Sequence, residues 1–306
     1  MKKPKILIIA GPTAVGKTSF SLLCAKELNG EIISSDSIQI YKELNIGSAK
    51  ATKEEQQKAV HHLIDFLEPN QEFSVSEFAK MCREKIQEVI QKGKLPIVVG
   101  GTGLFIKSLL YPMSFGKTNK DEKIRKKWED FLYENGPEKL FNELKKVDPE
   151  SAENIEMNNT RRVIRALEIF EITGEKKSQQ SDLEKESEYD YKLLFLNKDR
   201  ETLYNDINKR VEIMFNEGLL EEVTCLVKKY NLTRESQCMQ AIGYKEFFDY
   251  FENKKSLDEV KEEIKKVTRH YAKRQITFFK YLKGVEIVNS KEIEKNLENI
   301  KIWQNM

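Results

Sequence analysis

Short apolar runs alternate with helical periodicity over roughly the first third of the chain. Three runs have the character of buried strands, at residues 5–10, 30–36 and 95–99, and the second of them ends in a polar turn at Asp36. The apolar spacing that follows the first run, up to Leu28, is that of a helix. Another helix is predicted from Ser74, which forms a capping-box pattern with Glu77, to about Lys92. This alternation predicts an α/β fold with a parallel sheet flanked by helices.

The pattern changes near Phe115. From Gly116 to about Glu188 the periodicity is helical and charge is dense, with helices predicted over residues 123–133, 137–145, 149–155 and 160–171. The stretch from Ser178 to Glu188 is polar and is interpreted as a linker, after which strand character returns at residues 191–196. We therefore predict an α/β domain in two parts, residues 1–115 and 189–306, separated by an all-helical insertion over residues 116–188.

Beyond this last predicted strand the chain is expected to be mainly helical, with a break at Gly218 and Leu219. A stripe of basic residues runs along the helix predicted over residues 264–283, interleaved with aromatic residues and without an acidic one. Arg161, Arg162 and Arg165 form a second basic group at a helix start. Each group alone is typical of a solvated helix face, but together they favour a nucleic-acid backbone as partner.

The length of 306 residues suits about two domains. The composition, with 39% hydrophobic and 33% charged residues, is typical of a soluble globular protein. No stretch has the character of a membrane span. The first strand also begins too close to Met1 for a signal peptide, so we expect a cytoplasmic protein. The four cysteines are scattered without ligand spacing and are expected to be reduced structural thiols. The net charge of +2 does not decide the partner.

The sequence GPTAVGKT at residues 11–18 has the GxxxxGKT pattern of a phosphate-binding loop, between a predicted strand and a predicted helix. Gly11 and Gly16 allow backbone conformations that let successive N–H groups surround phosphate oxygens. Lys17 would reach the terminal phosphates, and the Thr18 hydroxyl would hold Mg²⁺. The alternative is a glycine-containing turn with an incidental lysine.

Two further turns follow predicted strands, where ligand loops gather in α/β sheets. Asp36 comes after the second strand and is equally compatible with a ligand-facing carboxylate or a turn residue. The GGTG turn, which contains Thr102, follows the third strand and fits a substrate loop or a tight strand-to-helix turn. The pair His61 and His62 has no third ligand nearby and is expected to be structural.

A phosphate loop alone admits nucleoside-triphosphate hydrolysis, phosphoryl transfer or capture of a diphosphate leaving group. Asn197-Lys198-Asp199 lacks the extra residue of the GTPase NKxD pattern, which disfavours a GTPase. A small-molecule kinase and a non-catalytic RNA-binding protein with a nucleotide switch both remain alternatives on these residues.

Ten segments in family order together resemble the bacterial tRNA dimethylallyltransferase family. They are GPTAVGKT at 11–18, SDSIQIY at 35–41, IGSAK at 46–50, HHLID at 61–65, FSVSEF at 73–78, GGTGLF at 100–105, RRVIRALE at 161–168, RVEIMFNEGLLEEV at 210–223, QAIGYKE at 240–246 and RHYAKRQITFFK at 269–280. The resemblance implies a P-loop NTPase-like parallel sheet with a helical insertion. It also implies transfer of a dimethylallyl group from dimethylallyl diphosphate to N6 of adenine 37, in tRNAs that read codons beginning with U.

The resemblance assigns roles to residues of this chain. Asp36 would be the general base, with Thr102 beside the reacting base and Arg210 on the diphosphate. The diphosphate would be bound by Gly11, Pro12, Thr13, Ala14, Val15, Gly16, Lys17 and Thr18, with Mg²⁺ at Thr18. Contacts to tRNA would come from Asp36, Ser37, Ile38, Gln39, Thr102, Arg125, Arg161, Arg162, Val163, Ile164, Arg165, Arg269, Lys273, Arg274 and Gln275.

The resemblance also implies base flipping of adenine 37 and an anticodon arm held by the insertion. A monomer is expected, because nothing in the sequence demands more. Three positions depart from the family pattern. Asp206 stands where an arginine is usual, Phe105 replaces a tyrosine and Phe278 replaces a tryptophan. The first departure puts a second basic contact near Arg210 in doubt, whereas the other two keep an aromatic ring.

Overall fold

The structure is a computed structural model that describes residues 3–111, 121–179 and 186–306. The chain forms two compact units, one of residues 1–110 and 188–306 and the other of residues 111–187. The predicted boundary between Phe115 and Gly116 lies outside the described residues, as does most of the predicted polar linker.

The larger unit is built on a parallel six-stranded sheet with the strand order β3-β2-β4-β1-β5-β6. Its strands are β1 (Lys5–Ala10), β2 (Gly30–Ser34), β3 (His61–His62), β4 (Leu95–Gly100), β5 (Asp190–Asn197) and β6 (Val285–Asn289). The predicted parallel α/β fold with flanking helices is therefore confirmed.

Two strands at the sheet edges were not predicted. β3 consists only of His61 and His62, and β6 has only half-buried and exposed positions, so neither is a long buried apolar run. The chain after β5 is mainly helical, as predicted, except at β6, whose residues Val285 to Asn289 pair with Leu193 to Asn197 of β5. An edge strand buries less of each side chain than a central one, and its sequence carries a weaker hydrophobic signal.

The helices of this unit flank the sheet and extend beyond it. They are α1 (Lys17–Glu27), α2 (Lys53–Lys58), α3 (Val75–Gln91), α4 (Gly103–Leu110), α8 (Arg200–Asn216), α9 (Leu219–Tyr230), α10 (Phe247–Phe251), α11 (Leu257–Lys280) and α12 (Ile293–Asn305). The predicted capping box at Ser74 and Glu77 is present, with both reciprocal hydrogen bonds. The predicted break between α8 and α9 lies at Gly218, which has a φ of 97°.

The described residues of the smaller unit form helices joined by short turns, with no strand among them. Its helices are α5 (Glu122–Val147), α6 (Pro149–Asn154) and α7 (Thr160–Thr173). α5 is interrupted at Gly136, whose φ of 79° precedes Pro137, and this matches the two helices predicted on either side. Leu140 and Leu144 of α5 pack with Val163 and Leu167 of α7 in a separate hydrophobic core.

The carboxyl ends of β1, β2 and β4 meet at one edge of the sheet, because these strands are parallel neighbours. Ser35 N donates to Val99 O at 2.7 Å, which holds the end of β2 against β4. A Cβ at Gly100 would lie 2.2 Å from Ser35 O, so only glycine permits this approach. The three turns predicted to bind ligands therefore lie side by side.

Candidate active site

The loop after β1 has the conformation that its glycines predict. Gly16 caps α1 with a φ of 100°, and Ala14 also has a positive φ, of 63°. A Cβ at Gly11 would lie 2.7 Å from Leu196 O on the neighbouring strand. Lys17 Nζ donates to Gly11 O at 2.9 Å and to Pro12 O at 2.8 Å. The lysine thus lies over the loop at the N-terminus of α1, a place suited to an anion.

Two cations and one carboxylate interact at this edge of the sheet. Burial lowers the pKa of Lys17, the charge of Asp36 opposes this shift and the charge of Arg210 adds to it, so that the net pKa is about 8. Burial also lowers the pKa of Arg210, which Asp36 again opposes. Arg210 lies on α8 and makes no hydrogen bond or ion pair with any residue that the structure describes. Its guanidinium can therefore bind an anionic ligand.

Asp36 and Thr102 are held in two adjoining turns. Asp36 Oδ1 accepts hydrogen bonds from Ile38 N at 2.9 Å and Gln39 N at 3.3 Å, which is the turn role that its position allowed. Its Oδ2 accepts none from the residues in the described ranges. Thr102 Oγ1 accepts from Ser37 N at 3.2 Å and lies 3.4 Å from Ser37 Oγ. One oxygen of Asp36 is thus oriented while the other can accept a proton.

Tyr271 of α11 faces the same turns and was missed as a site residue. Burial raises its pKa to about 12, and the charge of Asp36 contributes. The charge of Arg274 and the side chains of Gln275 and Thr102 act in the opposite direction. Gln275 is 5% exposed and bonds to the backbone at Thr13 and Gly101. The sequence pattern indicated only that the aromatic residues of α11 form one face of a basic helix, not that Tyr271 lies at the site.

A cavity of about 520 Å³ opens beside the phosphate loop, with Thr18 and Arg210 among its lining residues. Its apolar lining includes Ile46, Ala49, Ala51, Ile213 and Met214. The same cavity therefore offers a cationic end and an apolar wall, which is the combination that an amphiphilic diphosphate requires.

Glu222 on α9 holds the loop that forms one wall of this cavity. Its Oε2 accepts from Asn45 N at 3.0 Å and Ile46 N at 2.8 Å. Its Oε1 accepts from Gly47 N at 3.2 Å and from the Tyr244 hydroxyl at 2.8 Å. This carboxylate clamp has no sequence signature, because its partners lie far away along the chain.

Asp206, which departs from the family pattern, has a partner near the phosphate loop. Lys198 Nζ donates to Asp206 Oδ2 at 2.7 Å and to Ala14 O at 3.0 Å. The carboxylate therefore orients a lysine that supports the loop, whereas Asp199 of the same Asn-Lys-Asp segment caps α8. Of the other departures, Phe105 stacks on Phe78 at 4.0 Å between ring centroids.

In the helical unit, the predicted RNA-binding residues on α7 divide by burial. Arg161 and Arg162 are exposed, and Arg165 is half-buried and paired with Glu168 at 3.0 Å. Val163 and Ile164 are buried in the core, so their side chains are occupied in packing. Burial and then the charges of Arg162 and Arg165 lower the pKa of Lys177, which adds a cation that the sequence analysis missed.

The other predicted basic contacts lie on α5 and α11. Arg125 Nε donates to Glu129 Oε1 at 3.1 Å, one helical turn away. Arg269 donates to Asn208 Oδ1 at 2.6 Å, which ties α11 to α8. Lys273 and Arg274 are exposed. Of the RNA-binding residues predicted on α11, these two carry charge at exposed positions, whereas Arg269 is half-buried.

The histidine pair is engaged in hydrogen bonds. His61 Nδ1 lies 2.8 Å from Ala59 O, and His62 Nε2 lies 2.7 Å from Glu31 Oε2. Burial acts to raise the pKa of Glu31, but hydrogen bonds from Lys94, His62 and Lys92 outweigh it and lower the pKa to about 2. Within residues 3–111, 121–179 and 186–306, no three His, Cys, Asp or Glu side chains are grouped to hold a metal.

None of the described helices is both long and apolar enough to cross a membrane. All four cysteines are free thiols, three of them buried and Cys225 exposed.

Comparison with known proteins bears directly on this site. The family model described as IPP transferase matches residues 39–281. The chain is 48% identical over 302 residues to tRNA dimethylallyltransferase of Bacillus anthracis, covering 98% of this chain and 96% of that one. The tRNA dimethylallyltransferase of Bacillus cereus strain AH187 is also 48% identical, with 98% and 95% covered.

Solved structures agree with these matches. The full-length tRNA isopentenylpyrophosphate transferase of Bacillus halodurans is 39% identical with a TM-score of 0.74, covering 98% of this chain and 97% of that chain. A eukaryotic dimethylallyltransferase, described as acting on tRNA, is 31% identical with a TM-score of 0.81, covering 98% and 78%. The chain belongs to the IPP transferase family and is an enzyme of the tRNA dimethylallyltransferase class.

Proposed function

We propose that the enzyme transfers the dimethylallyl group of dimethylallyl diphosphate to N6 of adenine 37, the base just 3′ of the anticodon, in tRNAs that read codons beginning with U. The observation that carries this proposal is Arg210, a half-buried guanidinium that no described residue pairs, beside Lys17 and Asp36. A diphosphate between the two cations would meet their charge, and Asp36 would lie within reach of the nucleophile.

In the proposed reaction the bond between the donor C1 and the diphosphate oxygen breaks, and a bond between adenine N6 and C1 forms. Charge develops on the departing diphosphate, which Lys17, Arg210 and the loop N–H groups would stabilise. The proton on N6 passes to Asp36, whose Oδ2 accepts no hydrogen bond from the described residues. Thr102 would contact the RNA beside the reacting base. Diphosphate is the second product.

Mg²⁺ is part of the proposal, with the Thr18 hydroxyl as its protein ligand. Thr18 lines the cavity, and the described residues form no cluster of acidic ligands. These residues therefore fit a magnesium ion that is held mainly by the substrate. Diphosphate oxygens and water would complete its coordination. When bound, the ion would neutralise charge on the leaving group.

Recognition of tRNA is proposed for both units. In the helical unit, Arg125, Arg161, Arg162 and Arg165 would contact the anticodon arm, while Val163 and Ile164 would orient α7 from the core. In the larger unit, Lys273 and Arg274 carry exposed charge and Arg269 lies on the same helix. Adenine 37 would leave its stack to enter the turns that contain Ser37, Ile38, Gln39 and Thr102.

We also propose that the enzyme acts in the cytoplasm as a monomer. Support for the monomer is that the residues proposed for the diphosphate and the base all come from one unit of one chain.

The test is incubation of the enzyme with dimethylallyl diphosphate labelled in the prenyl group and an anticodon stem-loop bearing A36-A37-A38. Label should appear in the RNA and digestion should recover it on adenine 37. A stem-loop with guanosine at position 37 is the matched control and should stay unlabelled. Label on another nucleotide, or none on either RNA, would refute the proposal.

A further inference from the structure

Gln275 on α11 joins two loops that the proposed reaction uses. Its Nε2 donates to Gly101 O at 2.9 Å, and its Oε1 accepts from Thr13 N at 3.3 Å. The partners determine the amide orientation, because a backbone carbonyl only accepts and a backbone N–H only donates. One side chain therefore connects the turn that contains Thr102 to the phosphate loop.

The fit around this amide is close. Gln275 is 5% exposed, although Lys273 and Arg274 beside it in sequence are exposed. A Cβ at Gly101 would lie 2.2 Å from Gln275 Nε2, so the contact requires glycine there. An amide that is buried with both of its groups bonded inside the protein offers little surface to an RNA.

We propose that Gln275 is a positioning residue for prenyl transfer rather than a tRNA contact, and this inference rests on the proposed function. It holds the Gly101–Thr102 turn, which faces the acceptor base, at a fixed separation from the loop that binds the donor diphosphate. Transfer requires the adenine amine and the donor carbon to approach to about 3–3.5 Å. A shift of about 1 Å between the loops would slow the chemistry while each substrate still binds its own loop.

The test separates rate from binding. Gln275→Met keeps the length and bulk of the side chain and removes both hydrogen bonds. We expect the single-turnover rate constant at saturating donor and stem-loop to fall about 10- to 100-fold, with the Kd for the stem-loop changed less than about twofold. Lys273→Met is the comparison on the same helix and should instead weaken RNA binding with little change in the saturated rate.

A second variant gives a readout that a merely structural role would not. Gln275→Glu can accept from Thr13 N, but it can donate to Gly101 O only when its carboxyl group is protonated. Its rate relative to the unaltered enzyme should therefore recover as the pH falls. Thr277→Ala, at an exposed position of α11, should change neither rate nor affinity.

Two results would overturn the inference. If Gln275→Met raises the Kd for the stem-loop more than about fivefold at an unchanged saturated rate, Gln275 is a tRNA contact. If both quantities stay unchanged, the bridge is dispensable. Failure of the proposed function can be told apart from failure of this inference, because in that case the unaltered enzyme itself would transfer no label to the RNA. If Gln275→Met no longer unfolds cooperatively on heating, the Gln275→Glu variant decides the question: its relative rate must recover as the pH falls for the inference to stand.

Discussion

At the level of single residues, the site contains the cations Lys17 and Arg210, whose burial is unfavourable unless a bound anion compensates their charge. Burial lowers the pKa of both Lys17 and Arg210, and Asp36 is the carboxylate that opposes both shifts. Retaining two cations in such a setting favours binding of a multiply charged anion. Two predictions follow from this arrangement.

Lys17 should give diphosphate binding a pH dependence near neutrality. Because its pKa is lowered to about 8, the ammonium is present below that pH and is lost as the pH rises through it. Affinity for inorganic diphosphate should therefore fall above about pH 8, by up to about tenfold per pH unit. Calorimetric titrations of the unaltered enzyme and of Lys17→Arg between about pH 7 and about pH 9 check this. An identical pH profile for the two proteins would contradict it.

Replacing Asp36 should lower kcat without weakening the binding of diphosphate, the leaving group. Asp36→Asn keeps an oxygen for the bonds from Ile38 N and Gln39 N but cannot take a proton. We expect kcat to fall about 100-fold or more. The Kd for inorganic diphosphate at about pH 7 should not rise, since a negative charge near the anion is removed. Activity within a few fold of the unaltered enzyme would exclude Asp36 as the base.

At the scale of elements, the active site depends on contacts between segments distant in the chain. Glu222 of α9 orders the loop at Asn45 to Gly47, and Lys198 after β5 supports Ala14 of the phosphate loop. Such contacts determine the wall of the cavity without touching the reacting atoms. Loss of these contacts should weaken binding of the prenyl donor more than binding of RNA.

Glu222→Gln should raise the KM for dimethylallyl diphosphate several-fold and leave the KM for tRNA nearly unchanged. The amide has one acceptor oxygen in place of two, so some of the donors at Asn45, Ile46, Gly47 and Tyr244 lose their partner. We expect a loss of about 1–3 kcal/mol in the free energy of unfolding as well. Steady-state kinetics and urea unfolding measure both. The exposed neighbour Glu221→Gln is the control, and equal effects in the two variants would reject the clamp.

The helix α7 should contribute RNA backbone contacts. Arg161→Ala combined with Arg165→Ala removes two charges from one face, so tRNA affinity should fall. The slope of log K against log salt should also become shallower by about 2. Binding titrations over a range of potassium chloride concentrations measure the slope, with exposed Lys139→Ala as the matched control. A slope equal to that of the unaltered enzyme would argue against a backbone contact.

At the level of the whole molecule, local patterns predicted the central strands, the capped helix α3 and the phosphate loop. Each of these signals lies within one contiguous stretch, as the GxxxxGKT motif between β1 and α1 does. The sheet then brings Asp36 and Thr102 together, which the strand-end positions anticipated only in part. The two edge strands β3 and β6 escaped prediction because polar or exposed residues occupy them.

The roles of Gln275, Tyr271, Glu222 and Lys198 were not predictable, for a different physical reason. Each of them has at least one partner far along the chain, as Gln275 has in Gly101, which is 174 residues away. A glutamine on a basic helix gives no periodic or compositional signal that it turns inward. Only the packing of α11 against the strand ends makes that contact.

We propose that the phosphate loop of this enzyme binds a departing diphosphate rather than a phosphoryl group in transfer. The most direct measurement counts both products of one reaction: prenylated adenine 37 in the stem-loop and inorganic diphosphate in solution. We predict equal amounts of the two, and no orthophosphate when ATP is supplied in place of the prenyl donor. Orthophosphate released from ATP, or diphosphate released without a matching amount of prenylated RNA, would contradict this proposal.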